Sequence, residues 1–566
     1  MPSSVDSPVS PPGDSRIDSL LGRIERNARF GRTVTFVVGG DEDVTNWRDI
    51  HEEAKGYAAA LQARGVVPGD HVALLSPTTR PLVVAIQATW LAGATLVVLP
   101  LPMRLGSIEE FVAQTRQRIL HADAKLVIVD PDLAPFVTPE PGDPPMVGIE
   151  ELADGDAAAW VRPVDDPERL AILQFTSGST SDPKGVMLPD RAVCANLDGI
   201  AAVPALDPDT DVLVSWLPLY HDMGLVGLLA LPMSTGTPLV LGAPQDFTSR
   251  PSRWMEWIST YGGTATAGPN FAYVLATRAL KNGPQLDLSS LRIALNGAEP
   301  IDAENMEDFV TAGERHGLRP GAVFPAFGMA EVSIGGTFPE PMRGMVTDCV
   351  DRRVLETERY AAPVEDATPG SRRFALLGKA VPGLEIRIVD PESGAVLKDR
   401  EVGELEIRGT SVTTGCYRRP DANAELFHEG WLRTGDLAYT LEGELVVCGR
   451  IKDVIIVGGR NVFPEDVERA VGGLDGVRAG NVIAFGGVGG RGREALVVVA
   501  ETRADDLVDL RHRVAERVIE AIGVPAKDIV LVAPGTLPKT SSGKLQRSLC
   551  KRRYDDDQLE LVQAEA

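Results

Sequence analysis

Short apolar runs alternate with amphipathic stretches through most of the first 450 residues. The clearest strand-like runs are HVALLS (71–76), KLVIVD (125–130), DVLVSWLP (211–218) and LRIALNG (291–297). Because the segments between them have helical character, this alternation predicts parallel sheets covered by helices. Three later apolar runs, at 384–390, 403–409 and 443–449, have shorter gaps and Gly-rich turns, which predicts a smaller, partly antiparallel β unit.

The pattern changes near residue 450. The segment 460–472 opens a helix, VIAFGG and EALVVVAE are strand-like, and 505–522 is a charged amphipathic helix. Strands mixed with helices predict a small α+β domain. We therefore expect an α/β protein made of a tail, a large N-terminal domain of helix-covered sheets with a small β subdomain, and a small mobile C-terminal domain, with bounds 1–15, 16–449 and 450–566.

Two uncharged runs are long enough to be confused with membrane spans. Residues 81–103 carry no charge, but Gly93, Pro100 and Pro102 interrupt them. That punctuation favours a buried helix followed by a buried strand. The run 223–245 is likewise interrupted, by Pro, Ser, Thr and Gly residues between 232 and 238. We expect no membrane span.

Composition narrows the class of protein. The chain has 566 residues, 56 Lys+Arg against 80 Asp+Glu, and a formal net charge of −24. A field of that sign repels nucleic-acid backbones, so a nucleic-acid partner is not expected. Hydrophobic residues make up 44% of the chain, enough for a large core. The five dispersed Cys form no CxxC pair, and the N-terminus lacks a secretory signal, which indicates a reducing cytoplasm.

The segment with the most hydroxyl and glycine residues close together is FTSGSTSDPKG (175–185), which follows the apolar run LAILQ. Its hydroxyls, its accessible backbone N–H groups and the charge of Lys184 suit a polyphosphate. Its spacing differs from the G-x-x-x-x-G-K-[ST] loop. The alternative is a flexible Ser/Gly linker, which seldom combines these groups between apolar segments.

The segment TSGSTSDPKGVML (176–188) resembles the signature loop of the adenylate-forming superfamily, which includes acyl-CoA synthetases, peptide-synthetase adenylation domains and luciferases. Further segments follow in the order of that superfamily: WLPLYHDMGL (216–225), LNGAEP (295–300), FGMAE (327–331), GWLRTGDLAY (430–439), GRIKD (449–453), GGRNVFPEDVE (458–468) and LPKTSSGK (537–544). The resemblance covers nearly the whole chain after the tail. The motif versions WLPLYHDMGL, NGAEP and RNVFPEDVE resemble those of fatty acyl-AMP ligases, most of all the mycobactin-type actinobacterial enzymes. Residues 338–377 resemble the insertion that marks acyl-AMP ligases.

This resemblance implies a two-step reaction with ATP and Mg²⁺. A fatty acid carboxylate would attack the α-phosphorus of ATP to give acyl-AMP and pyrophosphate. The phosphopantetheine thiol of an acyl carrier protein would then accept the acyl group, for lipid or siderophore biosynthesis. Two alternatives stay open: a fatty acyl-CoA ligase that uses free coenzyme A, and a catalytically inactive acyl- or nucleotide-binding regulator.

The resemblance also implies roles for individual residues. Lys544 would bridge the carboxylate and the α-phosphate, Glu331 would hold Mg²⁺, and His221 would stand at the mouth of the acyl pocket. Lys184 would act beside the phosphates, and Lys452 would be the hinge between the domains. The residues implied to bind ATP are Thr176, Ser177, Gly178, Ser179, Thr180, Gly297, Ala298, Glu299, Phe327, Gly328, Met329, Asp436 and Arg450.

Taken singly, most of these residues also have ordinary structural interpretations. Glu331 could be a surface glutamate, Phe327 a core residue and Asp436 a turn residue. A Lys in a Ser/Gly loop is usually solvated, and His221 could be structural.

Two further patterns bear on partners. From Ile529 to Tyr554 there is no acidic residue but there are six basic ones, Lys539, Lys544, Arg547, Lys551, Arg552 and Arg553. This segment could steer an acidic carrier protein, or it could be a solvated helix end. Gly487, Gly489 and Gly492 match G-x-G-x-x-G, but the strand-like REALVVVAE follows, so we expect a hairpin rather than a dinucleotide site.

Overall fold

The computed structural model describes residues 18–101, 108–176, 184–366, 368–488, 494–540 and 543–562, so the expected tail at 1–15 lies outside it. The strands of its first part are β1 (Thr33–Val38), β2 (Asp41–Asn46), β3 (His71–Leu75), β4 (Thr95–Val98), β5 (Ala124–Val129), β6 (Met146–Gly148), β7 (Leu170–Thr176), β8 (Lys184–Pro189), β9 (Leu213–Ser215), β10 (Leu239–Gly242), β11 (Ala265–Gly268), β12 (Ile293–Asn296) and β13 (Val323–Pro325).

These strands form two mainly parallel sheets. The first has the order β13-β12-β11-β9-β10-β1-β2, and its one antiparallel pair among the described strands is β1–β2. The second has the order β6-β5-β3-β4-β7-β8, with β7–β8 antiparallel. The expectation of parallel sheets is therefore confirmed, and the carboxyl ends of β7, β9, β12 and β13 lead into the motifs at 176–188, 216–225, 295–300 and 327–331.

Helices cover both sheets. They are α1 (Leu20–Ala28), α2 (Trp47–Ala63), α3 (Arg80–Leu91), α4 (Ile108–His121), α5 (Asp190–Ala202), α6 (Leu231–Thr235), α7 (Pro244–Ser249), α8 (Ser252–Tyr261), α9 (Asn270–Asn282) and α10 (Ala303–Glu314), with a π-helix at Met223–Ala230. Short 3₁₀ turns occur at Ala134–Phe136, Ile149–Leu152, Ala157–Ala159, Pro320–Ala322, Ala330–Val332 and Ile451–Asp453.

The two uncharged runs are buried elements of this fold. Thr79 caps α3, whose residues from Leu82 to Leu91 are buried, and Gly93 turns the chain at φ +73° into β4. In the second run the π-helix continues directly into α6, and the helix ends at Gly236, where φ is +73°, within the expected interruption at 232–238. Pro232 fits because it lies in the first turn of α6, where a missing N–H costs little. No helix within the described residues is both long and apolar enough to cross a membrane.

A smaller antiparallel unit follows. Its strands are β14 (Phe327–Gly328), β15 (Gly335–Phe338), β16 (Thr347–Asp351), β17 (Ser371–Ala375), β18 (Lys379–Ala380), β19 (Leu384–Val389), β20 (Gly403–Gly409), β21 (Phe427–His428), β22 (Trp431–Leu441) and β23 (Glu444–Arg450). Its helices are α11 (Arg352–Glu358) and α12 (Pro420–Leu426). The main sheet pairs β19-β20-β22-β21, with β23 also on β22, and each of these pairs is antiparallel. The hairpin β16–β17 and α11 lie inside the predicted insertion at 338–377.

The C-terminal unit mixes strands and helices, as its sequence predicts. It contains β24 (Ile455–Val457), β25 (Arg460–Val462), β26 (Val477–Val488), β27 (Glu494–Thr502), β28 (Asp528–Val532), α13 (Pro464–Gly472), α14 (Leu507–Ile522) and α15 (Arg547–Asp555). Buried residues at a four-residue spacing, Leu510, Val514, Val518 and Ile522, fix the inner face of α14. β26 and β27 pair antiparallel, so the segment after the glycine motif is a strand, while residues 489–493 lie outside the described part. The domain bounds 16–449 and 450–566 stay predictions.

Candidate active site

A cavity of about 2880 Å³ lies where the parallel sheets, the antiparallel unit and the C-terminal unit meet. It is lined by each predicted site residue that the structure describes: Thr176, Lys184, His221, Gly297, Ala298, Glu299, Phe327, Gly328, Met329, Glu331, Asp436, Arg450, Lys452 and Lys544. Ser177, Gly178, Ser179 and Thr180 lie outside the described residues. The fold thus gathers residues from motifs that are far apart in sequence, while the role of each stays a prediction.

The ends of the Ser/Thr/Gly loop are held by strand pairing. Thr176 closes β7 and Lys184 opens β8, and the two residues are paired across the antiparallel ladder. The β8 side is anchored from the antiparallel unit, because Tyr417 N–H donates to the Gly185 carbonyl at 2.8 Å. A Cβ on Gly185 would lie 3.0 Å from a Leu173 methyl, which is tighter than an ordinary contact. Both flanks of the loop are therefore fixed at the cavity wall.

Two neighbouring backbone segments line the cavity. Gly297–Glu299 follows β12, and Ala298 has φ +71°, a strained conformation for a residue with a side chain. Beside it, just after the neighbouring strand β13, Phe327 and Gly328 form β14. A Cβ on Gly328 would lie 2.0 Å from the Ile334 carbonyl oxygen, so no side chain fits there. The strained Ala298 and the close-packed Gly328 therefore both lie at the cavity wall.

Asp436 sits on β22 opposite Arg450 on β23. The Asp436 side chain is 8% exposed, and its Oδ1 lies 3.2 Å from Arg450 Nε. Burial raises the pKa of Asp436, and Arg450 and Lys452 oppose that rise. A buried carboxylate has two oxygens that can accept hydrogen bonds from the two hydroxyls of a vicinal diol.

Glu331 lies in the 3₁₀ turn Ala330–Val332 beneath the cavity. Burial raises its pKa, Asp222 and Asp436 raise it further, and Arg450 opposes them. Within the described ranges there is no group of three or more His, Cys, Asp or Glu residues that could hold a metal ion. A hard cation at Glu331 would therefore need oxygen ligands from a phosphate as well.

Asp222 is a charged group that the sequence reasoning did not single out. It is 8% exposed, and its Oδ1 lies 2.5 Å from Nδ1 of His221. Burial acts to raise the pKa of Asp222, but His221 and Lys544 outweigh burial and leave the pKa below its ordinary value. The only sequence signal is its place between His221 and the apolar run that begins at Met223.

Lys544 reaches the cavity from the C-terminal unit. Its loop is closed by two hydrogen bonds, from Thr540 N–H to the Lys544 carbonyl at 2.8 Å and from Lys544 N–H to Thr540 Oγ1 at 3.1 Å. Burial lowers the pKa of Lys544, while Asp222 and Glu299 act to raise it. The amine therefore lies within Coulombic reach of both sides of the cavity.

The basic segment 529–554 is divided by the fold. Lys539 and Lys544 line the cavity. Arg547 pairs with three carboxylates, at 2.9 Å with Asp453, 2.8 Å with Glu465 and 2.7 Å with Glu468. The Arg547 charge is therefore paired inside the C-terminal unit, and the Arg547 side chain links the 3₁₀ turn that contains Lys452 to the start of α15. The remaining basic residues, Lys551, Arg552 and Arg553, lie on α15, and Arg552 and Arg553 also line the cavity.

Comparison of the sequence with known proteins identifies the family of this chain. Residues 24–417 match the family model described as AMP-binding enzyme. A Mycobacterium tuberculosis protein named as a ligase is 40% identical over 512 residues, 89% of this chain and 93% of that protein. JamA of Moorena producens, named as a medium-chain-fatty-acid–[acyl-carrier-protein] ligase, is 29% identical over 98% of both chains.

The solved structures give the same result. One from a study of fatty acyl-adenylate ligases of E. coli and L. pneumophila superposes with a TM-score of 0.89 at 32% identity, over 95% of this chain and 98% of that chain. The fold expected from the sequence is confirmed by this match. The chain therefore belongs to the AMP-binding enzyme family, and it is an acid-adenylating ligase of the fatty acyl-AMP ligase type.

Proposed function

We propose that this enzyme activates a fatty acid with ATP and passes the acyl group to the phosphopantetheine thiol of an acyl carrier protein. In the first step the carboxylate oxygen bonds to the α-phosphorus of ATP and pyrophosphate leaves. In the second step the thiol loses its proton to solvent, its sulfur bonds to the acyl carbon, and AMP leaves with the bonding electron pair of the acyl C–O bond. The observation that carries the proposal is that Lys544 shares one cavity with Glu331 and Asp436.

The first step joins two anions, so it depends on cations and hydrogen-bond donors more than on a base. The fatty acid carboxylate is already ionised at neutral pH. Lys544 supplies a positive charge that a carboxylate and the α-phosphate can share. Burial lowers the pKa of Lys544, and the carboxylates of Asp222 and Glu299 act against that shift and so favour the protonated amine.

The remaining cavity residues hold the nucleotide. In this proposal Lys184 would lie beside the polyphosphate, and Phe327 would offer a flat face to adenine. The Asp436 carboxylate would accept hydrogen bonds from the ribose hydroxyls. Mg²⁺ would be held by Glu331 together with phosphate oxygens, and it would neutralise charge that develops on the phosphates. His221, fixed through Nδ1 by Asp222, presents its other ring nitrogen to the acyl side.

The insertion favours a carrier protein over free coenzyme A as acceptor. The Glu356 carboxylate of α11, fully buried, accepts from Arg460 of the C-terminal unit at 2.8 Å. Asn461 donates to the Glu356 carbonyl at 3.1 Å, and Arg372 pairs with Asp466 at 3.0 Å. These contacts, called here the α11 latch, hold the C-terminal unit in the orientation that keeps Lys544 in the cavity. Transfer to coenzyme A is expected to need a rotation that the latch opposes.

A mass-spectrometric acceptor screen tests the proposal. The enzyme, ATP, Mg²⁺ and saturated fatty acids of graded length are incubated without acceptor, with coenzyme A or with a holo acyl carrier protein. The proposal predicts acyl-AMP and pyrophosphate without acceptor, and acyl carrier protein thioester in preference to acyl-CoA. Formation of acyl-CoA at the higher rate would make the enzyme a coenzyme A ligase, and no acyl-AMP from any fatty acid would refute adenylation of fatty acids. The cytoplasmic location and the siderophore pathway stay predictions.

A further inference from the structure

Beyond the nucleotide residues, the cavity continues as an apolar arm over one face of the sheet that contains β9, β11, β12 and β13. The residues that line this floor are Leu213, Ala265, Ala267, Ile293, Leu295 and Phe324. Strand pairing sets Leu213 beside Ala265, Ala265 beside Ile293, and Leu295 beside both Ala267 and Phe324. Paired residues point to the same face of a sheet, so these side chains form one continuous surface.

The middle of this floor is low, because β11 contributes the small side chains of Ala265 and Ala267. The π-helix Met223–Ala230 packs beside β9 and β11 and covers the floor from above. Met223, Gly227 and Leu228 of the π-helix line the cavity. Short π-helical segments are frequent at functional sites.

Gly227 leaves open space at the centre of this cover. A Cβ added to Gly227 would meet no atom within 4 Å, and the residue is half-buried between fully buried neighbours. Gly224, one turn earlier, differs, because its Cβ would lie 2.3 Å from the Pro218 carbonyl oxygen. Packing therefore requires a glycine at 224 but not at 227. The space at 227 belongs to the cavity.

We propose that Gly227 determines which acyl chain lengths the enzyme accepts. The acyl chain passes between Gly227 and the two alanines of β11, so a side chain at 227 would occupy its path. This inference rests on the proposed function, since it assigns the apolar arm to the fatty acid. Gly227 is a specificity-determining residue and takes no part in the transfer of the adenylyl group.

The test compares Gly227→Ala and Gly227→Leu with the wild-type enzyme on saturated fatty acids of graded length, by pyrophosphate release. Gly227 is absent from the positive-φ residues of the described chain, so both side chains are compatible with its backbone. Leucine fills the volume of roughly three methylene groups, so kcat/KM for the longest wild-type substrates should fall about 50-fold. Short acids should change less than threefold, and the KM for ATP should not change.

Each result decides a different point. If wild-type enzyme adenylates no fatty acid, the proposed function fails and the variants are not needed. If wild-type enzyme is active and folded Gly227→Leu keeps the wild-type chain-length profile, the inference is wrong. Circular dichroism and thermal melting verify the fold. If Gly227→Leu does not fold, Gly227→Ala and Gly227→Val must shorten the accepted chains in order of side-chain size, and an unchanged profile in both overturns the inference.

Discussion

The α11 latch makes a quantitative prediction about the thiol acceptor. The perturbation is Glu356→Ala, with Arg460→Ala as its partner and the double variant to complete a cycle. Glu356 is fully buried and Arg460 is 26% exposed, so their pairing is a largely desolvated, charge-assisted hydrogen bond. Such a bond contributes about 1.5–3 kcal/mol, which corresponds to a 10- to 100-fold shift in the orientation equilibrium of the C-terminal unit.

The assay measures acyl-CoA formation from free coenzyme A and, separately, pyrophosphate release without acceptor. Each single variant should gain 10- to 100-fold in acyl-CoA formation, and the double variant should gain no more than the larger single effect. The control is Arg408→Ala, which removes an exposed ion pair to Glu385 at 2.6 Å on the antiparallel sheet and should change neither rate. Wild-type rates of acyl-CoA formation in both folded variants would refute the restraint by this contact.

Three further predictions concern the cavity. Asp436→Asn should raise the KM for ATP and lower kcat/KM for ATP by about 10- to 100-fold, because a charge-assisted bond to the ribose is lost, while the fatty acid KM should change little; equal effects on both substrates would contradict the assignment. Asp222→Asn removes a carboxylate that favours protonated Lys544, so the already lowered pKa of Lys544 should fall further and the alkaline limb of kcat should move to lower pH; an unmoved limb in a pH profile would contradict this. Gly328→Ala should reduce the free energy of unfolding by about 1–3 kcal/mol through the clash with Ile334, and an unchanged urea midpoint would contradict the close packing.

Much of the fold could be predicted where hydrophobic periodicity is clear. The helix expected over 505–522 is observed as α14, Leu507–Ile522, because its apolar stripe has a helical period. The strand at 71–76 is observed as β3, His71–Leu75. The π-helix could not be predicted, since Met223–Ala230 is apolar at every position and shows no period.

The site was predictable as a set of motifs but not as a set of contacts. Glu356 and Arg460 are 104 positions apart, and neither local pattern indicates the other. Asp222 stands out only when the fold brings it within Coulombic reach of Lys544. The partners of Arg547 could not be predicted for a similar reason, because its three carboxylates come from the 3₁₀ turn Ile451–Asp453 and from α13.

In the proposed mechanism Lys544, carried by the C-terminal unit, supplies the positive charge for adenylation. The direct measurement is fatty-acid-dependent pyrophosphate release by Lys544→Ala, with Lys551→Ala on α15 as the control from the same unit. Loss of a preorganised charge of this kind typically lowers kcat by about 10²–10³. We expect kcat for pyrophosphate release to fall by that factor in folded Lys544→Ala, with ATP binding retained. In Lys551→Ala the rate should stay within threefold of wild type. Wild-type pyrophosphate release by Lys544→Ala would contradict this mechanism.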